Sequence, residues 1–172
     1  HFHRARLSAR QDVSGGLLLL EEQDRSLWEA DRIQAGMTWL ARSAQGDHFS
    51  RYHAEAAIAA EHCLAASYAE TRWDRIADCY TLLEHLTPSA LHRLNRAVAV
   101  AEWRGPAAGL EVLKGFAPPA WLASNYMWLA VLADLHCRTG DVSAAQRFKQ
   151  AALASAPTPA VHDLLQRRLT SS

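Results

Sequence analysis

Apolar residues recur along this chain at intervals of three and four, in blocks separated by glycine, proline and short polar stretches. That interval is the repeat of one helix face. The first clear block runs from about Leu27 to Ala44, with Trp28, Ile33, Met37 and Leu40 on its apolar side. Asp24 or Ser26 is its candidate N-cap. Ser50 is the next candidate cap and opens a small-residue helix, Arg51 to Ala66, whose alanines suit close packing. Trp73, Ile76, Tyr80 and Leu83 mark a helix from Trp73 to Leu86, ended by Pro88. Ser89 to Trp103 follows, closed by Gly105, and Pro106 opens another that reaches about Lys114. After Gly115 and Pro118-Pro119, Trp121 to Arg138 reads as one long apolar helix and Asp141 to Ser155 as its partner. Pro159 to Leu169 is the last helix, before the polar Thr170-Ser171-Ser172. Upstream of all these, residues 1–10 read as the tail of a helix. Gln11 to Gly16 reads as a turn in which Ser14-Gly15-Gly16 can take unusual dihedrals. Leu17 to Leu20 is either extended or plugs a core, and residues 21–26 form a charged loop.

The last third carries the strongest pattern. Ala145, Ala152, Leu153 and Pro157 fall five, twelve, thirteen and seventeen residues after Gly140. The glycine lets the chain turn sharply, Asp141 caps the next helix, the alanines allow two helices to approach, and the proline stops the second one. These offsets resemble the skeleton of a tetratricopeptide-type (TPR) repeat. Gly105 and Gly140 are thirty-five residues apart, against a repeat length of about 34. The predicted pairs are 51–66 with 73–86, 89–103 with 106–115, and 121–138 with 142–155, with 159–169 as a cap. The middle pair departs from the pattern, because the small residue expected at 110 is Leu110. The expectation is an all-α chain of TPR-like antiparallel hairpins, stacked in a right-handed array of about eight or nine helices. One domain is expected overall. Residues 1–25 are read as linker, helix tail and docking loop, and residues 26–172 as the helical domain.

Composition narrows the function classes. A length of 172 residues with 49% hydrophobic content supports a core. Eighteen basic and eighteen acidic residues cancel, so the chain lacks the basic excess of a dedicated nucleic-acid binder. Arginine outnumbers lysine sixteen to two, but acidic residues are interspersed. Cys63, Cys79 and Cys137 are an odd set without CxxC spacing, read as buried free thiols in a reducing cytosol. No apolar run approaches the ~20 residues of a membrane span and no signal peptide is visible. A cytoplasmic location without membrane contact is expected. His1-Phe2-His3-Arg4 reads as the middle of a helix, which suggests a fragment.

Candidate chemistry is sparse. Nine histidines are present, yet none forms an HExxH pair or a cysteine–histidine finger spacing. The near neighbours His53 and Glu55, Glu61 and His62, and Asp134 and His136 diverge in direction on a helix. No nucleophile elbow, Walker loop or dinucleotide glycine motif occurs. The expectation is no catalytic residue, no metal and no cofactor. Two polar sets stand out. Gln23, Asp24 and Arg25 with Trp28 read either as a capped helix start with a tryptophan anchor or as a docking loop, since arginine and tryptophan are frequent interface anchors. Asn95 and Arg96 sit in a helix otherwise made of Leu94, Ala97, Val98, Val100 and Ala101. They read either as a hydrogen-bonded polar pair or as partner-facing residues on a concave surface.

Longer motifs add a resemblance. Leu19-Leu20, Gln23-Asp24-Arg25 and Trp28 form an LLxxQDRxxW pattern; Ala56 to His62 reads AAIAAxH; Trp73, Ile76, Tyr80 and Leu83 follow in order. Leu94 to Glu102 reads LNRAVAVAE, then come Gly105-Pro106 and Gly109-Leu110. This resembles the C-terminal TPR-like extension of extracytoplasmic-function (ECF) RNA polymerase sigma-70 family factors, over nearly the whole chain. The resemblance implies promoter- and polymerase-binding domains ahead of this one, so DNA would be met only through domains outside this chain. Gly15-Gly16 departs from the family's usual single-glycine turn and its arginine. The implied function is regulatory docking to the sigma factor's own DNA-binding domains, to RNA polymerase or to another regulator. The alternatives are a free-standing TPR-like adaptor, and a small-ligand sensor or enzyme using a pocket between helices.

Overall fold

Several helix starts in this chain are set by polar side chains that take up otherwise unpaired N–H groups. Ser89 accepts from Leu91, Asn125 from Met127, Asp141 from Ala144 and Thr158 from Val161. Ser50 and His53 form a reciprocal capping box. The computed structural model describes residues 1–12, 16–46 and 49–170. Among them are α1 (Phe2–Ala5), α2 (Ala30–Ser43), α3 (Arg51–Leu64), α4 (Trp73–Leu86) and α5 (Ala90–Arg104). Then come α6 (Pro106–Leu113), α7 (Ala120–Ala123), α8 (Tyr126–Arg138), α9 (Val142–Ala154) and α10 (Pro159–Arg168). Two short 3-10 turns cover Leu7–Ala9 and Arg25–Leu27. No strand occurs among the described residues beyond an isolated bridge between Gln11 and Leu17. The all-α expectation is met, with ten α-helices where eight or nine were expected. The expected glycine turn at Ser14-Gly15 and the final Ser171-Ser172 lie outside the described residues.

The chain divides into two compact units, His1–Pro88 and Ser89–Ser172. In the first, α3 and α4 form the expected hairpin, and α1 packs on both α2 and α3. Phe2, Ala9, Trp28, Ala59, Ala60 and Cys63 make one buried cluster, flanked by Leu20, Ile33, Met37 and Leu40. The first ten residues therefore help build this core, and Leu20 plugs it. The phenyl ring of Phe2 fills the space that a side chain on Gly36 would need. One boundary differs from the prediction. Trp28 is extended (φ −78°, ψ 133°), and α2 begins at Ala30 instead of Leu27. The Asp24 cap closes only a single 3-10 turn, and the N–H of Glu29 then donates to the Ala5 carbonyl at 3.0 Å. That tie to α1 keeps the chain extended through Trp28.

The second unit contains two helical hairpins and a final helix. α5 pairs with α6 and α8 with α9, each across a glycine at positive φ: Gly105 at 95° and Gly140 at 83°. Leu94, Ala97, Leu113, Leu122, Trp128 and Leu135 belong to its main core. Leu165 and Leu169 of the α10 segment bury against Ala130, Ala133 and Ala152. Arg138 binds Glu102 at 2.6 Å and Asp134 at 3.3 Å, tying the ends of α8 and α5. The long helix expected over 121–138 is broken at Ser124-Asn125. Asn125 takes an extended backbone and caps α8 with its side chain, a local bond that competes with helix continuation. The small residue missing at 110 is supplied one position earlier. A Cβ on Gly109 would lie 2.7 Å from the Ala101 Cβ and 2.8 Å from the Ala97 carbonyl oxygen.

That contact generates a stability prediction. Gly109→Ala forces α6 away from α5, at an overpacking cost of about 1–3 kcal/mol. The helix-propensity gain of roughly 1 kcal/mol offsets only part of it. The thermal midpoint should fall by a few degrees, whereas Gly46→Ala, where a Cβ meets only the Ser43 carbonyl at 3.8 Å, should leave it unchanged.

Candidate functional site

The Gln23–Trp28 segment takes its shape from one carboxylate. Asp24 accepts the Ser26 N–H at 2.9 Å, and the Ser26 hydroxyl joins in; together they hold Asp24 below the usual carboxylate range. The resulting turn sends Arg25 and Trp28 inward. Arg25 Nη1 donates to the His62 carbonyl at 2.8 Å and to the Ala65 carbonyl at 2.7 Å. These acceptors lie at the C-terminal end of α3, where carbonyls lack helical partners and the helix dipole is negative. The same guanidinium lies 4.6 Å from the centre of the Trp28 ring, and that of Arg6 lies 5.0 Å from it. Trp28 is only 7% exposed. The Ser8 hydroxyl donates to the Leu27 carbonyl at 2.9 Å and fastens the other side.

Burial dominates the electrostatics of this cluster. It lowers the pKa of both Arg6 and Arg25 from their ordinary value. It raises that of the Cys63 thiol, against the opposing pull of Arg6 and Arg25, so Cys63 stays protonated and inert. For His62, burial together with the nearby Arg6 and Arg25 charges brings the pKa down to about 4. Its ring stands edge-on to Trp73, with centroids 5.4 Å apart, and Tyr68 meets the same indole at 5.2 Å. Arg6 Nε, Arg25 Nη2, Trp28 Nε1, His62 Nδ1 and Gln23 Oε1 are enclosed without a hydrogen-bond partner among the described residues. The arrangement does mechanical work: it fastens α1, the 24–28 turn and the end of α3 to one another.

Residues 1–44 match the model of a family of unknown function, DUF6596. An uncharacterized protein of Rhizobium meliloti (strain 1021) is 38% identical over 110 residues, which cover 64% of this chain and 26% of that protein. The chain thus spans about a quarter of the relative it matches. No solved structure matches the chain. The segment matched by the family model contains Arg6, Gln23, Asp24, Arg25 and Trp28, the N-terminal part of the cluster described above.

The sequence-predicted residues end up in different settings. Arg25 and Trp28 come together in the interior, Asp24 shapes the turn from outside, and Gln23 is half-buried with its amide 3.4 Å from the Leu18 carbonyl. Asn95 and Arg96 lie on α5 of the second unit. Asn95 is exposed, not an interior hydrogen-bonded residue, and Arg96 is half-buried. Sequence reasoning missed Arg6 and the role of His62. The AAIAAxH stretch pointed at His62, but nothing linked it to an arginine thirty-seven positions away. The three cysteines are free thiols; Cys63 is buried, while Cys79 and Cys137 are half-buried. Among the described residues, no group of three or more His, Cys, Asp or Glu is placed to hold a metal ion, and no helix is long and apolar enough to cross a membrane.

Two stability outcomes follow from this geometry. Arg25→Ala removes two charge-assisted bonds and a stacked cation, and should cost about 2–3 kcal/mol in urea unfolding. Arg25→Lys should recover only part of it, because an ammonium lacks the planar fork. His62 provides the second. Unfolded, it titrates near 6.5; folded, near 4. Between those values the unfolded chain binds the extra proton. The stabilisation is therefore complete above 6.5, is lost as pH falls toward 4, and amounts to about 3 kcal/mol in all. The wild-type urea midpoint should decline over that window more steeply than that of His62→Gln.

Proposed function

We propose that this chain is a protein-docking regulatory domain, the C-terminal TPR-like extension of a bacterial ECF sigma factor. It modulates transcription initiation by reversible contact with the sigma factor's DNA-binding domains, RNA polymerase or a regulator. One observation carries the reading. The Leu19–Trp28 pattern that resembles the family's signature coincides with the turn whose Arg25 and Trp28 hold α1 and α3 together. A signature of that kind has a physical reason to recur, since each of its polar residues has a structural job. Further support comes from the bacterial relative, of which the matched stretch is only 26%; a regulatory region forms part of a larger protein in the same way.

In this reading the six candidate residues divide their work. Gln23, Arg25 and Trp28 keep the loop in shape. Asp24 shapes the turn and faces outward from it, while Asn95, exposed, and Arg96, half-buried, are the residues that would meet a partner. The domain acts in the cytoplasm, carries no catalytic residue and needs no cofactor.

The test separates shape from docking. Asn95→Ala and Arg96→Ala should change transcription from a sigma-dependent promoter reporter several-fold in the full-length protein while the domain's melting temperature stays native. The purified domain should also retain the sigma factor's N-terminal half or core polymerase in a pull-down. A reporter indifferent to both variants, with neither protein retained, would falsify the assignment.

A further inference from the structure

A groove of about 450 Å³ runs between α2 and α3 in the first unit. We propose that it is a docking site for an acidic amphipathic helix of a partner protein. The proposal adds a surface separate from Asp24, Asn95 and Arg96, and it takes over from the preceding reading only the idea of docking.

The groove's floor is apolar: Phe2 from α1, Leu40 from α2 and Ala56 from α3. Its rim carries Trp39 on α2 and Tyr52 on α3, which are 59% and 66% exposed. Aromatic rings left in water beside an apolar hollow are what an apolar helix face uses as anchors. The walls are held at a set distance. His53 Nδ1 accepts the Ser50 N–H at 3.1 Å, leaving Nε2 to donate to the Ser43 carbonyl at 3.2 Å. That imidazole ties the end of α2 to the start of α3, so the groove is formed before a partner arrives.

Charge selects the partner. Among the described residues, no aspartate or glutamate lines the groove. Arg42 lies 5.6 Å from the Trp39 ring centre and Arg51 lies 4.8 Å from that of Tyr52, so each rim aromatic is backed by a cation. Arg51 shares its charge with Glu55 at 3.9 Å, whereas Arg42 has no ion pair among the described residues. The chain as a whole is neutral, so this cationic rim is a local feature and favours carboxylates flanking the apolar stripe. A nucleic acid fits less well. Among the described residues no lysine lines the groove, and two arginines do not make a track for a phosphate backbone.

The probe is a fluorescein-labelled amphipathic helical peptide with leucines at i, i+3, i+4 and i+7 and glutamates on both flanks. It is titrated with the whole chain and followed by anisotropy. Saturable binding is expected, weakened about tenfold when lysines replace the glutamates. Trp39→Ala and Tyr52→Ala should each reduce affinity about tenfold with unchanged melting, because both side chains are exposed. Arg42→Glu should reverse the preference toward the lysine peptide. Four outcomes overturn the proposal: no binding, equal binding of both peptides, tighter binding of a single-stranded oligonucleotide, or self-association that Trp39→Ala abolishes, which would make a second copy the occupant.

Discussion

A guanidinium at the end of a helix is the interaction on which the first unit depends. Arg25 bonds two carbonyls at the C-terminus of α3, and its face covers Trp28. Neither half would be as effective alone. The carbonyls of a helix end attract a cation, but a solvated arginine gains little from meeting them. Trp28 excludes water from one side of the guanidinium, which strengthens both bonds. Arg6 covers another part of the same indole, and the Glu29 N–H reaches the Ala5 carbonyl, so α1 is drawn into the assembly. A short helix of four residues could not persist without such ties.

The second unit is held by different means. Its hairpins turn on glycines at positive φ and close over small residues, with Gly109 against Ala97 and Ala101, and Ala130 and Ala133 grouped with Ala152. Close backbone approach brings many weak dispersion contacts into range at once. Arg138 again joins helix ends, but through carboxylates of Glu102 and Asp134 instead of an aromatic face. One unit thus relies on a stacked cation and the other on small-residue packing, although both are built from α-helices.

Exposed aromatics give the first unit its clearest outward feature. Trp39 and Tyr52 stand beside an apolar hollow whose walls are pinned by His53. The inward tryptophan and the outward one lie only eleven positions apart in the chain, yet Trp28 stabilises the fold and Trp39 offers a surface. Periodicity alone ranks them equally. Trp39 falls next to Leu40 on α2, and only the position of α1 and α3 decides which of the two is covered.

Local chemistry settled much of this protein without any tertiary information. The hairpins at Gly105 and Gly140, the caps at Ser50 and Asp141, the helix start near Ser89 and the end of α4 before Pro88 were all legible, because each depends on groups a few residues apart. The break at Asn125, the late start of α2 and the transfer of the small position from 110 to 109 were not. At Asn125 a local cap bond competes with helix continuation and the sequence permits both, while the other two are decided by what lies across an interface. The same holds for the candidate site: sequence marked Arg25 and Trp28, while their burial against Arg6 and the end of α3 came from long-range packing. Hydrogen-bond caps and turn dihedrals are short-range and can be read along the chain; desolvation and ring stacking depend on neighbours that only folding brings near.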